Sequence, residues 1–235
     1  MRRPDVTVAA VLRSGGGKFG RRDVERLRSA VARWALPRKP LVRHEFVLFT
    51  DRSFPGVPCV PLRDGWPGWW SKLAMFEPGA LRGPVLYVDL DTVVTGDLGD
   101  LLELPSLVEQ PAALEDFYAP GMRASGVLAW DAERHGKQLA KVWRRFCEDP
   151  EGTMRAHARR MDSFLGHAFE GQDPIQRMLP GQVVSYKVHC TPRHPYQKHA
   201  AVPEGARLVC FHGRPQLREL QPDDPIRLLW EGGAS

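Results

Sequence analysis

At 235 residues the chain is long enough for one sizeable hydrophobic core and short for two, so a single domain over 1–235 is expected. With 43% hydrophobic and 26% charged residues it is neither a disordered chain nor a fibrous repeat, and no stretch approaches the length of a transmembrane helix. The formal charge of +5 favours anionic partners (nucleotide diphosphates, nucleic acid or acidic lipid surfaces) without choosing among them, and four scattered cysteines with no CxxC pair argue against a zinc ribbon or a dense disulfide scaffold and fit a cytoplasmic location.

The apolar run Val6–Leu12 predicts a first strand; it is too short for a signal peptide and is closed at once by Arg13-Ser14-Gly15-Gly16-Gly17-Lys18. Helical spacing through Val24, Leu27, Ala30, Val31 and Trp34 predicts a helix over 22–34. Its arginines would let it rest on an anionic membrane as a peripheral contact, but covering a sheet is the simpler reading. A buried-type strand over 45–50 ends at Asp51, and a short strand follows over 57–62. Trp66, Trp69 and Trp70 crowd around Gly65, Pro67 and Gly68 just before a brief helix over 69–76, and read as anchors of a loop on the core.

Strands over 85–89 and 125–130 come next, then a helix over 132–148, a basic polar stretch over 154–162, a helix over 174–179 and strands over 183–186 and 207–211. The loop 189–204 carries His189, His194 and His199 beside Cys190 at a spacing that matches no zinc pattern; with Lys187, Arg193 and Lys198 it reads as a basic lid near phosphates. The tail is expected to dock through the Leu and Trp residues of 226–230. Alternating strands and helices point to an α/β fold with a mostly parallel central sheet flanked by helices, where ligands gather at the carboxyl ends of strands.

The segment Val85-Leu86-Tyr87-Val88-Asp89-Leu90-Asp91 runs an apolar strand into two carboxylates one residue apart. Residues i and i+2 of an extended segment share a side, so Asp89 and Asp91 converge on one hard cation if Leu90 turns into the core. Mg²⁺ or Mn²⁺ held this way keeps open positions for substrate phosphates.

Taken in order, seven features resemble the metal-dependent GT-A glycosyltransferases, and within them a group similar to glycosyltransferase family 8. They are the Arg13-Ser14-Gly15-Gly16 start, Thr50-Asp51, Lys72 in WWSKLAMFEP, the YVDLDTVVTGDL block, Ser125-Gly126-Val127, Gly171-Gln172-Asp173 and Phe211-His212-Gly213-Arg214-Pro215. The resemblance implies a GT-A fold. Residues 1–100 would hold the donor nucleotide, 101–215 the acceptor and the late metal ligand, and 216–235 form a tail. It implies Asp89, Asp91 and His212 as ligands of Mn²⁺, with Mg²⁺ the second choice, and a nucleotide-sugar donor, a UDP-sugar foremost. Arg13, Ser14, Gly15 and Asp51 would meet the base and ribose, Lys72 and Arg214 the diphosphate, and Ser125 and Gly126 the donor sugar. Lys72 equally fits a solvent-facing lysine, and Arg214 replaces the family's usual lysine.

The family commonly reads Asp-Gln-Asp where this chain has Gly171-Gln172-Asp173. If configuration is retained, as the resemblance implies, Gln172 sits opposite the leaving group; if it is inverted, Asp173 is the general base. Asp173 equally suits the cap of the helix opening at Pro174. The acceptor, whether saccharide, lipid-linked, protein or a modified base in DNA, is left open.

Two rivals remain. Asp89-Leu90-Asp91-Thr92-Val93 also fits the nucleophile motif of haloacid-dehalogenase-like phosphatases, whose later acidic pair would have to be Asp223-Asp224. A non-enzymatic nucleic-acid-binding module would use Arg21-Arg22, Arg144-Arg145 and Arg159-Arg160 on phosphates.

Overall fold

The structure, a computed structural model, describes residues 5–36, 42–62, 65–191 and 200–232. β1 (Val6–Leu12) and β2 (His44–Thr50) are runs of buried β-branched and aromatic residues, which makes them inner strands. α1 (Arg21–Trp34) connects them, with Val24, Leu27 and Val31 buried on one face. β3 (Cys59–Pro61), a 3₁₀ segment (Gly68–Phe76), β4 (Pro84–Val88), β5 (Thr92–Val94), α2 (Gly99–Leu107), β6 (Ala112–Glu115) and β7 (Arg123–Asp131) follow. The rest comprises α3 (Gly136–Glu148), α4 (Pro150–Ala156), α5 (Asp162–Leu165), α6 (Ile175–Met178), β8 (Val183–Ser185), β9 (Leu208–Cys210) and α7 (Pro225–Glu231).

The main sheet has the order β3-β2-β1-β4-β7-β6. Its strands run parallel except β7, which is antiparallel to both neighbours. Alternation along β4 divides the core: Leu86 and Val88 join a cluster with α1, α2 and α6, whereas Val85 and Tyr87 join one with the 3₁₀ segment, α3 and α5. The result is a helix–sheet–helix sandwich. A second sheet, β5-β9-β8, is covered by Ile226 of α7 and by Leu217 and Leu220.

Four local expectations change. The helix expected over 132–148 begins at Gly136, because the Asp131 carboxylate accepts the N–H groups of Glu133 (2.9 Å) and Arg134 (3.0 Å) and holds a turn there. Ser125 and Gly126 lie near the amino end of their strand, since antiparallel β7 starts where its parallel neighbours finish. The tail docks through Ile226 and Trp230, the latter under the Arg26 guanidinium at 3.8 Å, while Leu228 and Leu229 are exposed. Trp66 and Trp70 do anchor their loop, packing on Phe146 at 4.6 and 5.2 Å, but Trp69 is 51% exposed. No helix among the described residues is long and apolar enough to cross a membrane.

Candidate active site

Two strand pairings assemble the site. β4 ends at Val88 opposite Val127, and the Asp89 N–H donates to the Gly126 carbonyl at 2.9 Å, so the start of β7 lies against Asp89. Asp89 and Thr92 then close a turn (Thr92 N–H to the Asp89 carbonyl, 3.1 Å) in which Leu90 is buried in the core. β5 leaves that turn antiparallel to β9 with Thr92 opposite Cys210, so the chain entering at Asp91 lies beside the chain leaving toward Phe211 and His212. Asp89, Asp91, Ser125, Gly126 and His212 therefore line one cavity of about 520 Å³, together with Lys18, Lys72, Asp116, Arg160 and Asp162.

The two carboxylates are neutralised from within the chain. Lys72, only 8% exposed, points inward: its Nζ lies 2.8 Å from both Asp89 oxygens and also donates to the Ser125 carbonyl (3.3 Å) and hydroxyl (3.4 Å). The Tyr87 hydroxyl donates to Asp89 as well; burial and the adjacent carboxylate push its phenol well above the ordinary value, so it stays a donor. Lys18 donates to Asp91 at 2.7 Å. Burial and the like charge of Asp89 raise the Asp91 pKa, and Lys18 and Lys72 offset only part of this.

His212 is half-buried beside Phe117 and Tyr118 at ring distances of 5.2 and 6.2 Å. Burial lowers its pKa, which favours the neutral imidazole, and its Nε2 is buried without a hydrogen-bond partner. An orphaned imidazole nitrogen on the same cavity as two carboxylates supplies donor types suited to Mn²⁺. As they stand, however, no three His, Cys, Asp or Glu side chains among the described residues are grouped closely enough to enclose a metal ion, and the lysines hold the carboxylates instead.

The loop after β1 borders an adjoining cavity of about 340 Å³ lined by Arg13, Gly16, Lys18, Trp69 and Lys72 as well as Asp89 and Asp91. Asp51 holds this loop, accepting the Ser14 N–H (2.9 Å) and hydroxyl (2.5 Å) with Arg13 at 3.7 Å. Burial alone would raise the Asp51 pKa, but these donors outweigh it and the net shift is downward. Gly15 and Gly17 have φ of +92° and +64°, which disfavours residues with a side chain there. Ser14, Gly15 and Asp51 are not among the residues lining this cavity; the Ser14–Asp51 contact is an exposed one that shapes the loop.

Opposite the carboxylate turn, Asp116 receives the N–H groups of Tyr118 (2.7 Å) and Ala119 (2.9 Å) and an Arg160 contact. Burial works against ionisation here, yet those donors leave the carboxyl below its ordinary pKa. Asp162 accepts the Ser125 N–H at 2.9 Å. Sequence reasoning missed Lys18, Tyr87, Asp116 and Asp162, and noticed Arg160 only as a phosphate contact of the nucleic-acid reading. Lys18 and Tyr87 belong to motifs already noticed, while Asp116 and Asp162 had no periodicity around them.

Three expected residues lie elsewhere. Arg214 is 83% exposed and stands 3.6 Å from Glu219. Asp173 is exposed and pairs with Arg177 at 2.9 Å; it makes no capping bond, α6 being preceded by Pro174. The Gln172 side chain accepts the Gln110 N–H at 3.3 Å, before β6 begins, whereas the cavity lies past its end at Asp116. Asp224 caps α7 through the N–H groups of Ile226 (2.8 Å) and Arg227 (3.2 Å), a structural task unlike that of a phosphatase acid. Arg21 pairs with Glu25 at 2.6 Å and Arg160 turns into the cavity, and α1, which carries Arg21-Arg22, covers the opposite face of the main sheet from α3, which carries Arg144-Arg145. His189 accepts the Ser185 N–H at 3.0 Å, whereas Arg193, His194, Lys198 and His199 lie outside the described residues.

No protein-family model and no curated protein matches this chain. Among solved structures it is similar to the glycosyltransferase GlyE of Streptococcus pneumoniae TIGR4, with a TM-score of 0.64 at 15% identity over 99% of this chain and 60% of that one. The galactosyltransferase LgtC, solved with donor and acceptor sugar analogues, matches with a TM-score of 0.58 at 14% identity over 97% of this chain and 95% of its own. The fold is that of the GT-A glycosyltransferases. The bifunctional glycosyltransferase WbbM shares it, with a TM-score of 0.60 at 12% identity over 98% of this chain and 52% of its own. The chain thus spans about three fifths of GlyE but nearly all of LgtC. On this GT-A frame, the residues gathered around Asp89 and Asp91 form the candidate active site.

Proposed function

We propose that the chain is a glycosyltransferase moving a sugar from a nucleotide-sugar donor, a UDP-sugar foremost, to an acceptor, with Mn²⁺ held by Asp89, Asp91 and His212. The observation that carries this reading is the convergence of two carboxylates, an orphaned imidazole nitrogen and two lysine ammonium groups on one cavity of a GT-A fold. Bound there, the metal supplies a Lewis acid that stabilises charge growing on the departing diphosphate.

The remaining chemistry belongs to the chain. Lys18 and Lys72 offer ammonium donors to phosphate oxygens. The adjoining cavity beside Arg13 and Gly16 takes the nucleoside, and the glycine lets backbone approach it closely. Asp116 and Asp162 accept hydroxyl hydrogen bonds from a sugar, which fixes its orientation. Retention of configuration suits such a cavity: Asp116 is engaged by Arg160 and two amides and Asp162 by the Ser125 N–H with Arg160 at 3.9 Å, so both carboxylates already hold donors, and the diphosphate takes the acceptor's proton.

The test is release of nucleoside diphosphate from UDP- and GDP-sugars incubated with protein and Mn²⁺. Release that disappears in Asp91→Asn, with an unchanged circular dichroism spectrum, is expected. A folded wild-type protein that neither cleaves nor binds any nucleotide sugar would remove the proposal.

A further inference from the structure

Lys18 is absent from the sequence resemblance, yet with Trp69, Lys72, Asp89 and Asp91 it lines both the cavity at the Asp89-Leu90-Asp91 turn and the cavity beside Arg13. Its ammonium lies 2.7 Å from Asp91 and 4.6 Å from the Phe19 ring. Lys72 is fixed by several partners, namely Asp89 and two oxygens of Ser125. Lys18 differs in that its side chain is 40% exposed, and it follows Gly17, whose backbone is in the left-handed region.

Charge counting sets what this cation does. Two aspartates and two lysines sum to zero. A divalent ion added to the same carboxylates would stand beside two ammonium groups with an uncompensated charge of two, which opposes binding of metal alone. A nucleoside diphosphate cancels that excess and gives Lys18 another anion to contact. Building on the function proposed above, we infer that Lys18 is a resident counter-ion on Asp91 that keeps divalent metal weakly bound until a nucleoside diphosphate arrives. It is a positioning residue: metal and diphosphate then enter as a coupled pair, and free metal does not close the site. Coupling of this kind is reciprocal, so metal tightens the diphosphate by the same factor.

The test is Mn²⁺ binding, read from the electron paramagnetic resonance signal of the free ion, with and without UDP or GDP, in wild type, Lys18→Gln and Lys18→Arg. Wild type is expected to bind Mn²⁺ alone weakly and to bind it more tightly with a nucleotide. Lys18→Gln should bind Mn²⁺ alone at least about tenfold more tightly, a conservative figure for removing a unit charge from beside the ion at an effective dielectric constant of about 20. The tightening caused by nucleotide should shrink by a similar factor, and Lys18→Arg should behave as wild type. Unchanged or weaker Mn²⁺ binding in Lys18→Gln, with nucleotide coupling intact, would overturn the role of Lys18 and leave the glycosyltransferase reading standing. A wild-type protein that binds neither Mn²⁺ nor nucleotide would overturn both.

Discussion

Replacing Lys72 by Met removes an ammonium group that stands 2.8 Å from both oxygens of Asp89 and leaves the methylene stem in place. The side chains are 10% and 25% exposed, so the pair is neither a surface ion pair nor a dry one. Unit charges ~3.5 Å apart attract by roughly 4–5 kcal/mol at an effective dielectric constant near 20, and the partial exposure of Asp89 brings the coupling to about 2–3 kcal/mol. Lys72→Met is therefore expected to cost about 3 kcal/mol, since Asp89 is left with Tyr87 as its remaining close donor, and Asp89→Asn to cost about 2 kcal/mol. The double variant should lose about 2 kcal/mol less than the sum. Urea unfolding followed by tryptophan fluorescence measures all four proteins with one baseline. Costs that add to within about 0.5 kcal/mol would refute the pairing, because independent sites behave that way.

Phe146→Ala should destabilise by about 3–5 kcal/mol, because it empties the slot between Trp66 and Trp70, and chemical denaturation checks it. His44, His135 and His212 all have pKa values lowered by burial, so their contribution to stability is complete above the unfolded value of 6.5 and is lost as pH falls toward the folded values. His135 is the clearest of the three: its Nδ1 accepts the Asp131 N–H at 3.0 Å, a bond that protonation abolishes. His135→Gln should flatten the fall in unfolding free energy between about pH 7.5 and 5.5, and an unchanged slope would assign the pH dependence elsewhere. Asp51→Asn should weaken nucleotide binding about tenfold in a titration, by loosening the Arg13–Ser14 loop, while changing stability by less than about 1 kcal/mol because the contact lies at the surface.

The strands Val6–Leu12 and Pro84–Val88 and the first helix were legible because each is a long apolar pattern of one period. Leu90 follows the same logic, since an apolar residue between two carboxylates has to turn inward. What brings His212 to the cavity at the Asp89–Asp91 turn is the pairing of Thr92 with Cys210, far apart in sequence; β9 falls within the strand expected over 207–211, but three-residue β5 directly after the turn carries no periodicity to read, and so the pairing was hidden. The same brevity hid β6 and with it Asp116. Lys18 was obscured by the glycines before it, which close the first strand and drew attention to Arg13, Ser14 and Gly15, and Asp162 by the surrounding basic stretch. Gln172 and Asp173 are the opposite case, a motif legible as letters whose side chains pair with Gln110 and Arg177 and are not among the residues lining the cavity. The Gln172 side chain accepts the Gln110 N–H, and a Cβ on Gly171 would stand 3.4 Å from Gln110, so these side-chain contacts lie ahead of β6, while the Gln172 carbonyl accepts from Arg123 at 2.8 Å.

The most direct measurement of the central claim is thermal unfolding with Mn²⁺, UDP, both and neither. A ligand pair at about 100 times its dissociation constant adds about 2.7 kcal/mol, a rise in Tm of roughly 5–10 °C for a chain of this size. The account predicts that rise only when Mn²⁺ and a nucleoside diphosphate are present together, and its loss in Asp91→Asn. An unfolding temperature indifferent to every combination of metal and nucleotide would contradict it.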